Sequence, residues 1–176
     1  MPFSKIWRRA FLLGLAIFIM RAKPFIKWVG GKSQLIEQLD AQLPTDFGDW
    51  ENVTYIEPFV GGGAMLFYML QRYHNIQHAV INDINPDLVC CYKTVRDQVE
   101  MLIESLRNYE QLYLALQTEE DRKNFYMSAR SRYNEKSLDS IENTTLFFFL
   151  NRTCFNGLYR VNSKNEFNVP FGKKSI

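Results

Sequence analysis

Three consecutive glycines, Gly61-Gly62-Gly63, follow an apolar, β-favouring segment at 53–57 and precede a helix-forming stretch at 64–73. A turn without side chains at that place lets a ligand approach the helix N-terminus, where unpaired backbone N–H groups point outward. Asp83 stands at the end of a second short strand expected at 79–81, about twenty residues past the glycines. A carboxylate so placed can accept hydrogen bonds from both hydroxyls of a ribose, a group common to NAD and S-adenosylmethionine. The same acid equally suits a cap ahead of Asn85-Pro86. A dinucleotide fingerprint would need glycine where Leu66 stands, which argues against an NAD enzyme.

Gly30-Gly31-Lys32-Ser33 resembles the tail of a phosphate-binding loop, whose lysine meets phosphates and whose hydroxyl meets magnesium. The leading glycine of that motif would fall on Ile26, which argues against a P-loop ATPase. In isolation Lys32 reads as a solvated side chain after a tight turn, ahead of a helix at 33–42.

The elements that would position these residues run strand, helix, strand, helix, the last opening at Asn85-Pro86 and continuing towards 99 with proline well placed in its first turn. That order predicts an α/β fold with a parallel sheet of Rossmann type. Beyond Glu100 the pattern turns to helices at 101–116, 119–134 and 140–150, which reads as a separate helical insertion. Residues 153–171 then carry Asn156-Gly157, a hairpin-turn dipeptide between aromatic and β-favouring neighbours.

With 176 residues, 47% of them hydrophobic, the chain can build one domain with a real core. Its net charge of +2 divides unevenly, at +7 over residues 1–32, −9 over 33–151 and +4 over 152–176. Basic ends suit a polyanion, although a solvated face gives the same excess. Cys90, Cys91 and Cys154 form no C-x-x-C pair, and His74 and His78 complete no zinc spacing with them, so no metal site is expected. Buried, reduced thiols in a cytoplasmic protein are the simpler reading. Lys5, Arg8 and Arg9 ahead of an apolar run at 10–20 imitate a secretory signal, but a spanning helix needs about 20 residues and no small-x-small cleavage site follows. No membrane association is expected, and translation starting at Met20 is an alternative that N-terminal sequencing would test.

Five segments in one order change the weight of each. Phe25-Ile26-Lys27-Trp28-Val29-Gly30-Gly31-Lys32, Ile56-Glu57-Pro58-Phe59-Val60-Gly61-Gly62-Gly63, Asn82-Asp83-Ile84-Asn85-Pro86-Asp87-Leu88, Phe155-Asn156-Gly157-Leu158-Tyr159-Arg160 and Phe167-Asn168-Val169-Pro170-Phe171-Gly172 occur in register. The set closely resembles the Dam family of DNA adenine-N6 methyltransferases, in the arrangement where cofactor motifs precede the target-recognition region, from about Lys23 to the end of the chain. The resemblance implies S-adenosylmethionine as cofactor and duplex DNA as partner. It implies a partial Rossmann-like methyltransferase sheet with a helical recognition insertion and a β-hairpin. The implied division is an extension at 1–22, a cofactor-binding half at 23–99, a recognition region at 100–172 and a short end at 173–176.

Carried over residue by residue, the resemblance puts Trp28 against the cofactor and Lys32 near its carboxylate. Glu57, Phe59, Gly61 and Gly63 fall on the motif after the first strand, and Asp83 on the ribose-binding acid. Lys27 matches a basic position that reaches DNA. Phe155, where close relatives carry tyrosine, keeps an aromatic face that can wedge into the base stack. Asn156 would sit by the base left unpaired. Leu158 and Arg160 match positions that read the site edges, and arginine can satisfy guanine O6 and N7 together, which implies GATC as the target. Without the other motifs this stretch is an Asn-Gly turn beside an aromatic core.

The family extrudes its target adenine and holds the amine with an Asp-Pro-Pro-Tyr segment. Neither that segment nor its Asn variant occurs in the 176 residues, so no catalytic residue is assigned. Truncation, or completion by a second polypeptide as in a split enzyme, would account for this. Two parallel strands alone would also leave an open edge and poor solubility. A non-catalytic DNA-reading module is the alternative from another class. Salt-sensitive DNA binding without a cofactor effect would favour it, whereas cofactor binding dependent on Trp28 and Asp83 favours the enzyme lineage. The expected outcome for the isolated 176-residue chain is no transfer of labelled methyl to duplex DNA. Transfer at a rate comparable with a complete family member would refute this.

Overall fold

A computed structural model describes residues 22–173. The basic and apolar stretch before them, with the alternative start at Met20, and the last three residues lie outside the described residues. A 3-10 turn at Lys32–Gln34 leads into a short helix α1, Ile36–Asp40. Strand β1, Val53–Glu57, then helix α2, Ala64–Arg72, and strand β2, Ile76–Ile81, form a strand-helix-strand unit whose strands pair in parallel. Helices α3, Pro86–Asp97, α4, Val99–Ala115, α5, Glu119–Asn134, and α6, Ser140–Thr153, follow. The α/β class expected from the sequence is therefore present, with a two-stranded parallel sheet among the described residues. Ile56 and Val80 on its strands are 63% and 54% exposed.

Side-chain caps account for three of the six α-helix starts among the described residues. The Asn85 side chain accepts from the backbone N–H of Asp87 at 2.9 Å and of Leu88 at 3.2 Å, with Pro86 in the first turn. Thr118 caps α5 in the same way, and Glu119, Glu120 and Asp121 place negative charge at its positive end. Asp139 caps α6 through the N–H of Glu142.

Helix α6 is the centre of the molecule. Every residue from Thr144 to Asn151 is buried, so the helix is enclosed on all sides, and α3, α4 and α5 all pack against it. Its hydroxyls are partnered within the core: Thr144 donates to Thr94 at 3.0 Å and Thr145 to Ser105 at 2.9 Å. One apolar cluster joins Ile26, Leu88 and Cys91 to Leu102, Tyr113, Tyr126, Leu146 and Val169, and so crosses position 99 without a break. The three cysteines are free, with Cys91 and Cys154 buried; burial raises both thiol pKa values, which keeps them protonated. No helix among the described residues is long and apolar enough to cross a membrane.

Three elements differ from their sequence-based outline. The helix expected at 33–42 breaks at Leu35, whose N–H bonds back to Lys32 O in the tighter 3-10 pattern. Strand β2 begins at Ile76 rather than at 79, because pairing with β1 recruits the polar Gln77 and His78, which carry no strand signal of their own. The recognition hairpin is also differently built. Asn156 and Gly157 have φ of 55° and 67° and turn the chain directly after α6, while the antiparallel contacts are isolated bridges, Val161 with Phe167 and Cys154 with Phe171. The tip of the Val161–Phe167 pair is held instead by Asn162, whose side chain accepts from the N–H groups of Lys164 and Glu166.

Because Leu146 is fully enclosed, Leu146→Ala should destabilise the chain by about 2–5 kcal/mol in urea unfolding. Leu112→Ala, on an exposed face, should stay within about 0.5 kcal/mol of the parent.

Candidate functional site

The glycine turn after β1 and the acid after β2 are joined directly. Asp83 Oδ2 accepts the backbone N–H of Gly61 at 2.9 Å, and Oδ1 accepts that of Asn85 at 3.0 Å. Asn85 is the helix cap, so Asp83 is free of that duty and braces the two loops at the strand ends against each other. Each carboxylate oxygen keeps lone-pair capacity for a further donor. Gly61 and Gly63 adopt φ of 51° and 80°, open to glycine at little cost. A Cβ on Gly63 would meet Tyr92 Oη at 2.5 Å, and one on Gly61 would lie 3.0 Å from Trp28 Cδ1. The absence of side chains at these positions therefore lets Trp28 and Tyr92 pack on the turn. Tyr92 on α3 also donates to Gly61 O at 3.0 Å, and burial raises its pKa.

Lys32 is not a solvated side chain. Its Nζ lies 3.1 Å from Glu57 Oε1 and donates to Phe59 O at 2.8 Å. Glu57 is only 6% exposed, and its second oxygen accepts from Tyr55 Oη at 2.9 Å. Burial and the neighbouring Glu57 both raise the Tyr55 pKa, so the phenol stays a donor. A carboxylate buried to this degree is tolerated because both of its oxygens are paired. Phe59, by contrast, is 71% exposed beside the turn. Trp28, Lys32, Glu57, Phe59, Gly61, Gly63 and Asp83 thus gather into one corner at the carboxyl ends of the two strands. A hollow of about 520 Å³ opens next to that corner, lined by Asp83, Ile84, Val89, Cys90 and Lys93 among others. Its lining runs along α3 to Ser140, and of the corner residues it includes Asp83 alone.

The residues expected to meet DNA form a second group abutting the first. Asn151, buried in α6, accepts the backbone N–H of Lys27 at 2.9 Å and donates to Lys27 O at 2.9 Å and Gly157 O at 3.1 Å. The Lys27 stem lies against Gly157, where a Cβ would come within 2.5 Å of Lys27 Cδ. Lys27, Phe155, Asn156 and Arg160 are exposed around this contact, and Leu158 is half-buried. The Arg160 guanidinium is engaged within the chain, donating from Nε to Asn168 Oδ1 at 2.7 Å and from Nη2 to Asn168 O at 3.2 Å. Tyr159 connects the two groups, its ring centroid 5.1 Å from that of Trp28.

Sequence reasoning missed Tyr92, Tyr55, Asn151, Asp87 and Tyr159. Asp87 accepts from Tyr133 at 2.5 Å and Tyr159 at 3.1 Å. Asp87 and Tyr159 lie inside motif segments given above, and Tyr55 stands two residues before its partner Glu57, whereas Tyr92 and Asn151 meet theirs at separations that no local pattern reports.

The chain is similar in sequence to known proteins over most of its length. The chain matches the family model described as D12 class N6 adenine-specific DNA methyltransferase over residues 28–176. It is 48% identical over 156 residues to Type II methyltransferase M.MjaIII of Methanocaldococcus jannaschii, covering 88% of this chain and 53% of that protein. It is 35% identical over 153 residues to the DNA adenine methylase of Haemophilus influenzae, covering 87% and 48%. With the Escherichia coli DNA adenine methylase it shares 33% identity over 152 residues, covering 86% and 48%. The chain spans about half the length of the curated relatives it matches. A family match over residues 28–176, which takes in every expected site residue except Lys27, means that this chain belongs to the D12 class of N6 adenine-specific DNA methyltransferases.

Proposed function

We propose that this chain carries the cofactor-holding and target-reading parts of an adenine-N6 DNA methyltransferase acting on duplex DNA, with S-adenosylmethionine as donor and GATC as target. The observation that carries the reading is the 2.9 Å bond from the Gly61 N–H to Asp83, with Trp28 packed on the same turn. In this reading β1, α2 and β2 are the opening unit of a Rossmann-like sheet, in which ligands sit outside the carboxyl ends of the strands. The residues fit the cofactor. Asp83 has acceptor capacity for ribose hydroxyls, Trp28 and the exposed Phe59 offer apolar faces, and Lys32, held by Glu57, offers positive charge to an amino-acid carboxylate. Bound S-adenosylmethionine supplies the electrophilic methyl group.

The chain's own contribution is to bind and orient. The glycine turn keeps backbone N–H groups clear of side chains, and Asp83 fixes the spacing of the two loops. Lys27 and the segment from Phe155 to Arg160 present charge, an aromatic edge and amide groups on the neighbouring face. Engagement of guanine by Arg160 requires exchange of its bonds to Asn168 for bonds to O6 and N7. The adenine amine is assigned to no residue here, since the 176 residues contain no Asp-Pro-Pro-Tyr or Asn variant.

Titration calorimetry with S-adenosylhomocysteine tests the cofactor site. Trp28→Ala and Asp83→Ala should each weaken binding about tenfold or more, the loss expected for a packed aromatic face or a charged hydrogen-bond acceptor. Binding that both variants leave unchanged overturns the assignment. For the DNA face, Lys27→Ala should lower duplex affinity alike for GATC and scrambled sequences and reduce the salt slope by about 1, whereas Arg160→Ala should erase the preference for GATC.

A further inference from the structure

Tyr159 stands between two residues of the DNA face, Leu158 and Arg160, but its side chain points the other way. At one end its hydroxyl donates to Asp87 Oδ2 at 3.1 Å. Along its ring it packs on Trp28, with centroids 5.1 Å apart and planes 34° from parallel, and on Phe147 and Phe167 at 5.6 and 5.8 Å. Asp87 is itself immobilised. It sits in the first turn of α3, accepts from Tyr133 at 2.5 Å and Asn143 at 3.4 Å, lies 3.6 Å from Lys136 Nζ, and has a side chain only 15% exposed. On the far side, Trp28 rests on Gly61 and Gly62, where added Cβ atoms would come within 3.0 and 3.2 Å of its side chain.

We propose that Tyr159, latched by Asp87, is the positioning residue through which occupation of the cofactor corner and reading of DNA are coupled. The inference rests on the function proposed above. A ring held only by packing could follow a moving Trp28 by rotating about its own bonds. Tyr159 is pinned at its hydroxyl as well, so a shift of Trp28 is passed to its backbone, and so to Leu158 and Arg160. The reverse holds when DNA fixes those neighbours, because Tyr159 then holds the Trp28 face in place. Coupling of this kind is reciprocal: a duplex that tightens cofactor binding is itself bound more tightly by the same factor when cofactor is present.

The test uses the full chain and S-adenosylhomocysteine, titrated calorimetrically with and without a saturating GATC duplex. In the parent the duplex should tighten binding about tenfold, within the usual range of coupling between sites. In Tyr159→Phe, which keeps the ring and loses the latch, the ratio should fall to about twofold or less, with the melting temperature within about 4 °C of the parent. Asp87→Asn should lower the ratio as well. Asn143→Ala, which removes a bond to the other oxygen of the same carboxylate, should keep it. A parent ratio near one, an unchanged ratio in Tyr159→Phe, or an equal fall in Asn143→Ala overturns the coupling role. A parent chain that binds neither S-adenosylhomocysteine nor the duplex overturns the proposed function, and this inference with it. Parent binding of both ligands with an unchanged ratio in Tyr159→Phe overturns the coupling alone.

Discussion

Two chain segments that belong to no sheet meet at the amide of Asn151, and the arrangement of both groups of site residues depends on that meeting. Its oxygen accepts the Lys27 N–H, and its nitrogen donates to the carbonyls of Lys27 and Gly157. An extended segment without a strand partner must satisfy its backbone by other means, and one buried side chain does so here for segments 124 and 6 positions away. Since Asn151 projects from the most enclosed helix, this junction is as rigid as the core beneath it. Lys27 is consequently held outward, Trp28 inward, and Gly157 pressed on the lysine stem where any larger residue would collide.

The charges near the corner at the strand ends follow a related logic. Glu57 and Asp83 end adjacent strands, yet neither is an isolated buried anion. Lys32 and Tyr55 satisfy the first, and two backbone N–H groups satisfy the second. Burying an ion pair gains little stability once desolvation is counted, while removing one partner costs about 3–5 kcal/mol. Such an arrangement therefore serves geometry more than stability: it fixes where Lys32 and the glycine turn stand. Asp87 extends the pattern to the helices, accepting from residues on α5, on α6 and in the recognition segment.

What could be read from the sequence is what short-range chemistry decides. The glycine turn, the Asn85-Pro86 helix start and the acid after the second strand were legible because each is set within a few residues. Their convergence with Trp28 followed from the order of the motifs. Asn156-Gly157 was read as a hairpin tip because both residues suit positive φ, and both do adopt it. Whether a turn also joins paired strands is decided by the flanking segments, and here these pair elsewhere. His78 is strand through its partner Thr54 in β1, and Gln77 is carried along at the register irregularity between Ile76 and His78. The Thr-Thr-Leu-Phe-Phe-Phe-Leu run of α6 read as a helix, but its place at the centre depends on three other helices. Asn151 is invisible for the same reason, since its partner Lys27 lies 124 residues away, and the joining of Asp87 to Tyr159, 72 residues apart, is likewise beyond local pattern although both lie in named motifs.

The boundary near residue 100 illustrates how such long-range contacts change the meaning of a motif. Composition shifts there from strand-and-helix to helix alone, which on local grounds separates a cofactor half from a recognition region. The apolar cluster, however, includes Leu88 and Cys91 from one side and Leu102, Tyr126 and Leu146 from the other. Protein interiors are close-packed and resist sliding, so α3 cannot move relative to α6 without opening that cluster. The acid at the start of α3 and the turn at the end of α6 are therefore held by a single core. Freedom remains at their surface, in the unbraced side chains of Phe59, Ile84 and Phe155, each more than half exposed. A surface built this way keeps α3 and α6 fixed and leaves adjustment to the segment from Phe155 to Arg160 and to the apolar side chains around it.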